Sequence, residues 1–207
     1  FKQCGIIAKP LINQSSIFKA YSNALNDLSL AKDDIIIFCH DDIEILTRPE
    51  VFTQLLKENL SKDDTGFVGV AGTRFFPADA VWWNQEFWQG HSGVVYHGKD
   101  LSSMGQTLFG PLGQVVVLDG VFLAAKVKTL YDIQMTKPKF FNGEWDFYDI
   151  FYTFQTYLKG LKNLTLPIHI RHESVGEIAG RDSWHENRVS FLNRFGTYLP
   201  AHITAPQ

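Results

Sequence analysis

The run Ile35-Ile36-Ile37-Phe38-Cys39-His40-Asp41-Asp42 joins an apolar stretch to an imidazole and two adjacent carboxylates. β-Branched residues followed by Phe favour an interior strand. In open α/β sheets such strands end in the loops that bind ligands. Hard divalent cations prefer carboxylate oxygens, and a cation held by one or two of them can grip a substrate diphosphate. The plainer alternative for the tripeptide is a turn with two solvated aspartates. Three more polar clusters stand at the ends of expected elements: Asp119-Gly120, Glu144 to Asp149, and His172-Glu173-Ser174. Strand and helix ends of an open sheet converge on one crevice, so these distant residues can share a site.

Helices alternating with strands must do the positioning. Ser15-Ser16 offers an N-cap, after which Ile17, Ala20, Tyr21, Ala24, Leu25 and Leu28 recur at helical spacing. Pro49 suits the first position of a second helix, with Val51, Phe52, Leu55, Leu56 and Leu60 as its apolar stripe. Gly66 to Gly72 is expected as a buried strand, Gly93 to His97 as a short one. Gln114 to Leu118 and Val121 to Lys126 bracket Asp119-Gly120. Asp146 to Lys159 is expected as a helix stopped by Gly160, and Asn163 to Arg171 as an irregular or edge strand containing Pro167. Ser183 and Glu186 fit a capping box that opens a last helix carrying Val189, Phe191, Leu192 and Phe195. This order predicts an α/β fold with a mostly parallel central sheet flanked by helices, in one domain spanning 1–207.

Composition narrows the partners. A net charge of −3 with scattered Lys and Arg argues against a nucleic-acid surface. Cys4 and Cys39 make no disulfide framework and fit a reducing compartment. No apolar run approaches the length of a membrane span. Trp82, Trp83 and Trp88 crowd a short aromatic stretch that suits either core packing or a sugar platform.

Together the motifs resemble the GT-A-fold glycosyltransferases of the large family 2 type, within a bacterial branch of poorly characterised members. The resemblance covers Ser15 to Pro200. It is carried by Ser16-Ile17-Phe18-Lys19-Ala20-Tyr21, Phe38-Cys39-His40-Asp41-Asp42-Ile43, Gly69-Val70-Ala71-Gly72-Thr73 and Trp88-Gln89-Gly90. Further on it is carried by Leu118-Asp119-Gly120-Val121-Phe122-Leu123-Ala124, Phe147-Tyr148-Asp149-Ile150 and Arg171-His172-Glu173-Ser174-Val175-Gly176. It implies metal-dependent, inverting transfer of a hexosyl-type sugar from a nucleoside-diphosphate sugar to a hydroxyl of a saccharide or lipid-linked acceptor. His40, Asp41 and Asp42 would stand for the DxD element, with Asp42 and His172 as ligands of Mn²⁺ or Mg²⁺. Imidazole is a good ligand for the first ion and a poor one for the second. Asp119 and Gly120 would line the donor sugar. Asp149 would be the general base, kept ionised by its position at a helix N-terminus. Glu144 and Asp146 would be acceptor-side groups and alternatives for the base, and Trp88 an acceptor wall or lid. A cytoplasmic location, or one peripheral to the inner membrane face, would follow.

Two departures support other readings. The family's opening strand is not recognisable in Phe1 to Asn13, so it is either upstream of Phe1 or diverged. Phe151 stands where many members carry a second acid. A catalytically degenerate carbohydrate- or nucleotide-binding module accommodates both departures. A metal-dependent hydrolase built on His40, Asp42 and His172 is the other alternative, although no dense ligand motif such as HExxH is present.

Overall fold

The computed structural model describes residues 1–27, 29–174 and 182–203. Leu28, Val175 and Gly176, which figure in the motifs above, lie outside the described residues. The first half comprises α1 (Ile17–Asp27), β1 (Ile35–Cys39), β2 (Ile43–Ile45), α2 (Pro49–Leu60), β3 (Thr65–Gly69), β4 (Ala71–Thr73), β5 (Phe75–Phe76) and β6 (His91–His97). Then follow β7 (Gly105–Gly110), β8 (Gly113–Val115), β9 (Val117–Leu118), β10 (Phe122–Lys126) and α3 (Val127–Asp132). The last part holds α4 (Tyr148–Leu158), β11 (Lys162–Thr165), β12 (Ile170–His172), α5 (Asp182–Phe195) and β13 (Ala201–His202).

Two sheets carry most of these strands. The first has the order β1-β10-β3-β11-β8; the second has the order β2-β12-β6-β4-β9, with β7 added on β6. Several strands of the first sheet run straight on into the second. β1 passes to β2 through His40-Asp41-Asp42, β3 to β4 through Val70 alone, and β11 to β12 through residues 166–169. β8 crosses to β9 through Val116, and Asp119-Gly120-Val121 brings the chain back into β10. Two of the polar clusters, His40-Asp41-Asp42 and Asp119-Gly120, therefore occupy links between sheets; Glu144 to Asp149 leads into α4, and His172 ends β12.

The α/β layering is as expected, but the pairing is more mixed than a mostly parallel sheet. In the first sheet only β3–β11 is parallel, while β1–β10, β10–β3 and β11–β8 are antiparallel. β1, β3 and β11 run toward the links and share a direction, whereas β10 leaves one and must oppose its neighbours. The links also explain three misplaced boundaries. The expected strands Gly66 to Gly72, Gln114 to Leu118 and Asn163 to Arg171 each divide between the two sheets. No strand forms before Ile35 among the described residues, and β1 is the edge of its sheet.

The helices follow the capping logic closely. Ser16 is buried and its Oγ accepts the Lys19 amide at 3.3 Å, which caps α1. Phe18, Ala20, Tyr21 and Leu25 then face the core. Pro49 opens α2, which buries Phe52, Leu56 and Leu60 and leaves Val51 outward. α4 begins at Tyr148, two residues later than expected, and ends before Gly160, whose φ of 79° is the left-handed conformation glycine tolerates best. Seven of the eleven α4 residues are buried, Phe151 included; that ring packs on Phe140, Phe141 and Phe195. α5 starts at Asp182, and the Ser183 hydroxyl is spent on Asp146 rather than in a capping box.

Candidate active site

Backbone pairing builds the first half of the site. The His40 amide donates to the Val121 carbonyl at 3.2 Å, fixing the end of β1 against the turn that follows Asp119. β2 pairs antiparallel with β12 and sets Ile43 opposite His172, so Asp42 comes to lie beside that imidazole. His172 Nε2 is 3.2 Å from Asp42 Oδ1 and 3.2 Å from His40 Nδ1, and His40 Nδ1 is 4.0 Å from the same carboxylate oxygen. Ser174 braces the group: its amide donates to Asp42 Oδ2, and its hydroxyl lies 3.2 Å from His172 Nε2. Burial pushes the Asp42 carboxyl up, but the Ser174 contacts and the adjacent imidazoles outweigh it and leave the carboxyl below its usual range. Burial likewise pushes His172 down, and the histidines around it add to that against the pull of Asp42. A neutral imidazole and an ionised carboxylate are the forms in which both groups donate to a metal.

The donor set fits a divalent ion. Ligand atoms about 2.1 Å from one ion and at right angles to each other sit roughly 3 Å apart. The ligand atoms of His40, Asp42 and His172 all lie within 4.8 Å of one another. Two imidazoles and one carboxylate suit Mn²⁺ or a later transition ion better than Mg²⁺.

The second half of the site is the entry to α4. Phe147 has φ 69°, a left-handed conformation uncommon for a bulky residue, and its ring is locked between Phe141, Trp184 and Phe191. That bend aims Asp149 at the Asp119-Gly120 link, where the Gly120 amide donates to Asp149 Oδ2 at 2.9 Å. Burial, then the charge of Asp119, pushes the Asp149 carboxyl up to about 7. This reverses the effect expected from the helix N-terminus. Desolvation beside a like charge outweighs the helix dipole and the amide bonds, because little solvent remains to support a second anion. The charge of Asp119 also acts on His172, so it is felt in both halves of the site.

Tyr148 joins the two halves. Its hydroxyl is 3.3 Å from the Gly120 carbonyl and 3.5 Å from His40 Nε2, and its ring meets Tyr21 edge-on. Burial holds the phenol well above its ordinary pKa.

The sequence model of a glycosyltransferase-like family matches residues 6–193. The chain belongs to that family. No curated protein matches it.

The other residues of this glycosyltransferase-like protein fall less evenly around the cleft. Asp41 is exposed at the link. Trp88 is 60 % exposed on the turn Gln85–Gly90, open to a ligand. Glu144 is paired with Lys137 and its carbonyl accepts the first amide of α1, so it anchors that helix. Asp146 is buried and takes the Ser183 hydroxyl at 2.5 Å, which holds α5. His91 is buried against Trp82 and Phe109, so it forms no part of a sugar-facing wall. Gly120 also serves differently: a Cβ there would lie 2.2 Å from the Tyr148 hydroxyl, so its missing side chain makes room for a phenol. The sequence reading gave no role to Tyr148 and Ser174, although both stand in its motifs, and none to His97, whose Nδ1 lies 3.0 Å from the Ser174 carbonyl. His97 carried the signal that flagged His40, a polar residue closing an apolar strand.

Proposed function

We propose that this chain, acting as one domain, transfers a sugar from a nucleoside-diphosphate sugar to a hydroxyl of a saccharide or lipid-linked acceptor, with inversion. The observation that carries the reading is the half-buried Asp149 carboxylate, joined through Gly120 and Tyr148 to the His40, Asp42 and His172 donor set. Asp149 takes the acceptor hydroxyl proton; the freed oxygen attacks the anomeric carbon, and the bond to the diphosphate breaks with its electron pair on the leaving group. A carboxyl titrating near neutrality suits proton acceptance better than one titrating near 4. His40, Asp42 and His172 hold a divalent ion, Mn²⁺ rather than Mg²⁺, which when bound supplies positive charge to the leaving diphosphate. Asp41 and Asp119 meet the ribose and sugar hydroxyls, and Trp88 offers a stacking face to the acceptor. Two free thiols fit a cytoplasmic setting, peripheral to the inner membrane face where the acceptor is lipid-linked. Among the described residues no helix is long and apolar enough to cross a membrane.

A thermal-shift panel of UDP, GDP, CDP and dTDP with and without Mn²⁺ tests the donor half. One nucleotide should raise the melting temperature only with the ion, and Asp42→Ala should abolish that shift. No ion-dependent shift with any of the four would sink the reading. The compact donor set also suits hydrolysis by activated water, the second reading. Sugar release from the identified donor at equal rates with and without acceptor hydroxyls would favour it.

A further inference from the structure

We propose that Tyr148 is a positioning residue for His40: its phenol fixes which ring nitrogen of His40 is bare. Through Gly120 the same phenol ties that imidazole to Asp149. The inference rests on the cation site proposed above. The Gly120 carbonyl, 3.3 Å from the phenol oxygen, can only accept. The single phenolic proton is taken by the Gly120 carbonyl or by the Tyr21 phenol that Tyr148 also engages, and the phenol oxygen faces His40 Nε2 as an acceptor at 3.5 Å. His40 then carries its proton on Nε2, which leaves Nδ1 bare.

The opposite edge of the ring requires the same assignment. His40 Nδ1 and His172 Nε2 are 3.2 Å apart, a separation that needs one donor and one acceptor. His172 Nε2 is equally close to the Asp42 carboxylate, a pure acceptor, and to the Ser174 hydroxyl, which can accept, so without a metal His172 carries the proton that these neighbours share. His40 Nδ1 is thus bare in either state, and it is the atom that faces Asp42. Outer partners of this kind set the tautomer and orientation of metal-binding histidines.

Gly120 makes the arrangement specific. A Cβ at this position would sit 2.2 Å from the phenol oxygen and 2.7 Å from its ring carbon. Its carbonyl meets Tyr148 and its amide meets Asp149, so one residue registers both halves of the site. Tyr148 and Asp149 are consecutive, which leaves no slack between them. A shift of His40 is therefore felt at the base.

The test uses Tyr148→Phe in the full chain, with two readouts. ¹⁵N shifts of the His40 ring without metal, assigned by a His40→Gln difference spectrum, should show Nε2 protonated and Nδ1 bare in the wild type. The variant should show a mixture of tautomers. Mn²⁺ titration should find affinity weakened about 10- to 100-fold in the variant. Wild-type ring shifts with Nδ1 protonated, or a Tyr148→Phe chain with unchanged shifts and affinity, overturn the proposal. The wild-type shifts decide the tautomer even where the variant fails to fold. A wild type that binds no Mn²⁺ but shows the expected tautomer overturns the cation site instead.

Discussion

Two buried polar groups in this protein are built on opposite principles. Asn163, at an irregularity in the β3–β11 ladder, accepts the Phe67 amide at 3.1 Å and lies 2.7 Å from the Thr156 hydroxyl. It donates to the Val116 and Thr153 carbonyls at 3.0 and 2.7 Å. Donors face acceptors throughout, and no like charges meet. In the candidate site, by contrast, Asp149 feels the like charge of Asp119, and the ring nitrogens of His40 and His172 face each other across 3.2 Å. Saturated polar groups rigidify a core, whereas groups crowded with their own kind await a proton or a cation. Asn163 pins α4 to both β3 and the Val116 link, and bonds none of the His40, Asp42 and His172 side chains. Thr153 extends the pinning, accepting the Leu118 amide and donating to the Asp149 carbonyl at 2.7 Å.

The sharpest way to break the contrast is Asp149→Asn. It keeps the shape, removes the base and should cut transfer about 10²- to 10⁴-fold, measured as product per time at saturating donor. The same variant should melt higher than wild type at pH 8, since no carboxylate charge is then set against that of Asp119. Asn163→Ala is the mirror experiment. It strands the Val116 and Thr153 carbonyls and the Phe67 amide, and should cost on the order of 3 kcal/mol in denaturant unfolding. Its Mn²⁺ affinity while folded should be unchanged. A variant that unfolds normally but loses Mn²⁺ would show that the two groups are not separable.

pH sharpens the comparison further. The folded Asp149 carboxyl is pushed up to about 7 from its ordinary 3.8, so between those values the native state holds a proton that the unfolded chain has released. Its contribution to stability is therefore greatest at low pH and is lost as pH rises from about 4 to about 7. The melting-temperature gap between Asp149→Asn and wild type should widen across that window and level off above it. Turnover should run the other way, rising with pH through about 7 as the base ionises. A gap independent of pH would remove the shifted carboxyl. The smallest effect is expected at the exposed pair of Lys162 and Asp64, 2.6 Å apart at the start of β11. Lys162→Met should leave the melting temperature indistinguishable from wild type at physiological salt.

Much of this was legible in the sequence wherever a local rule fixed it. Ser16, Pro49 and Gly160 mark helix ends through capping chemistry that needs no tertiary partner. His40, Asp42 and His172 close apolar strands, and polar residues at strand ends were the signal that located them. Partition between sheets was not legible. Val70 and Val116 read as ordinary members of apolar runs, because hydropathy reports burial and says nothing of which ladder a residue joins. The sign of the Asp149 shift was missed for a similar reason. A helix N-terminus is visible locally, whereas Asp119 arrives from thirty positions earlier in the chain. Tyr148 stands in a motif with no role of its own in the sequence, and its partnership with Gly120 exists only in three dimensions.

Val70 and Val116 have one more effect. Each is a single buried residue between a strand of one sheet and a strand of the other, with its amide bonded into the surrounding backbone for Val116 and its carbonyl for Val70. A connection one residue long offers no hinge, so the two sheets cannot swing apart like jaws.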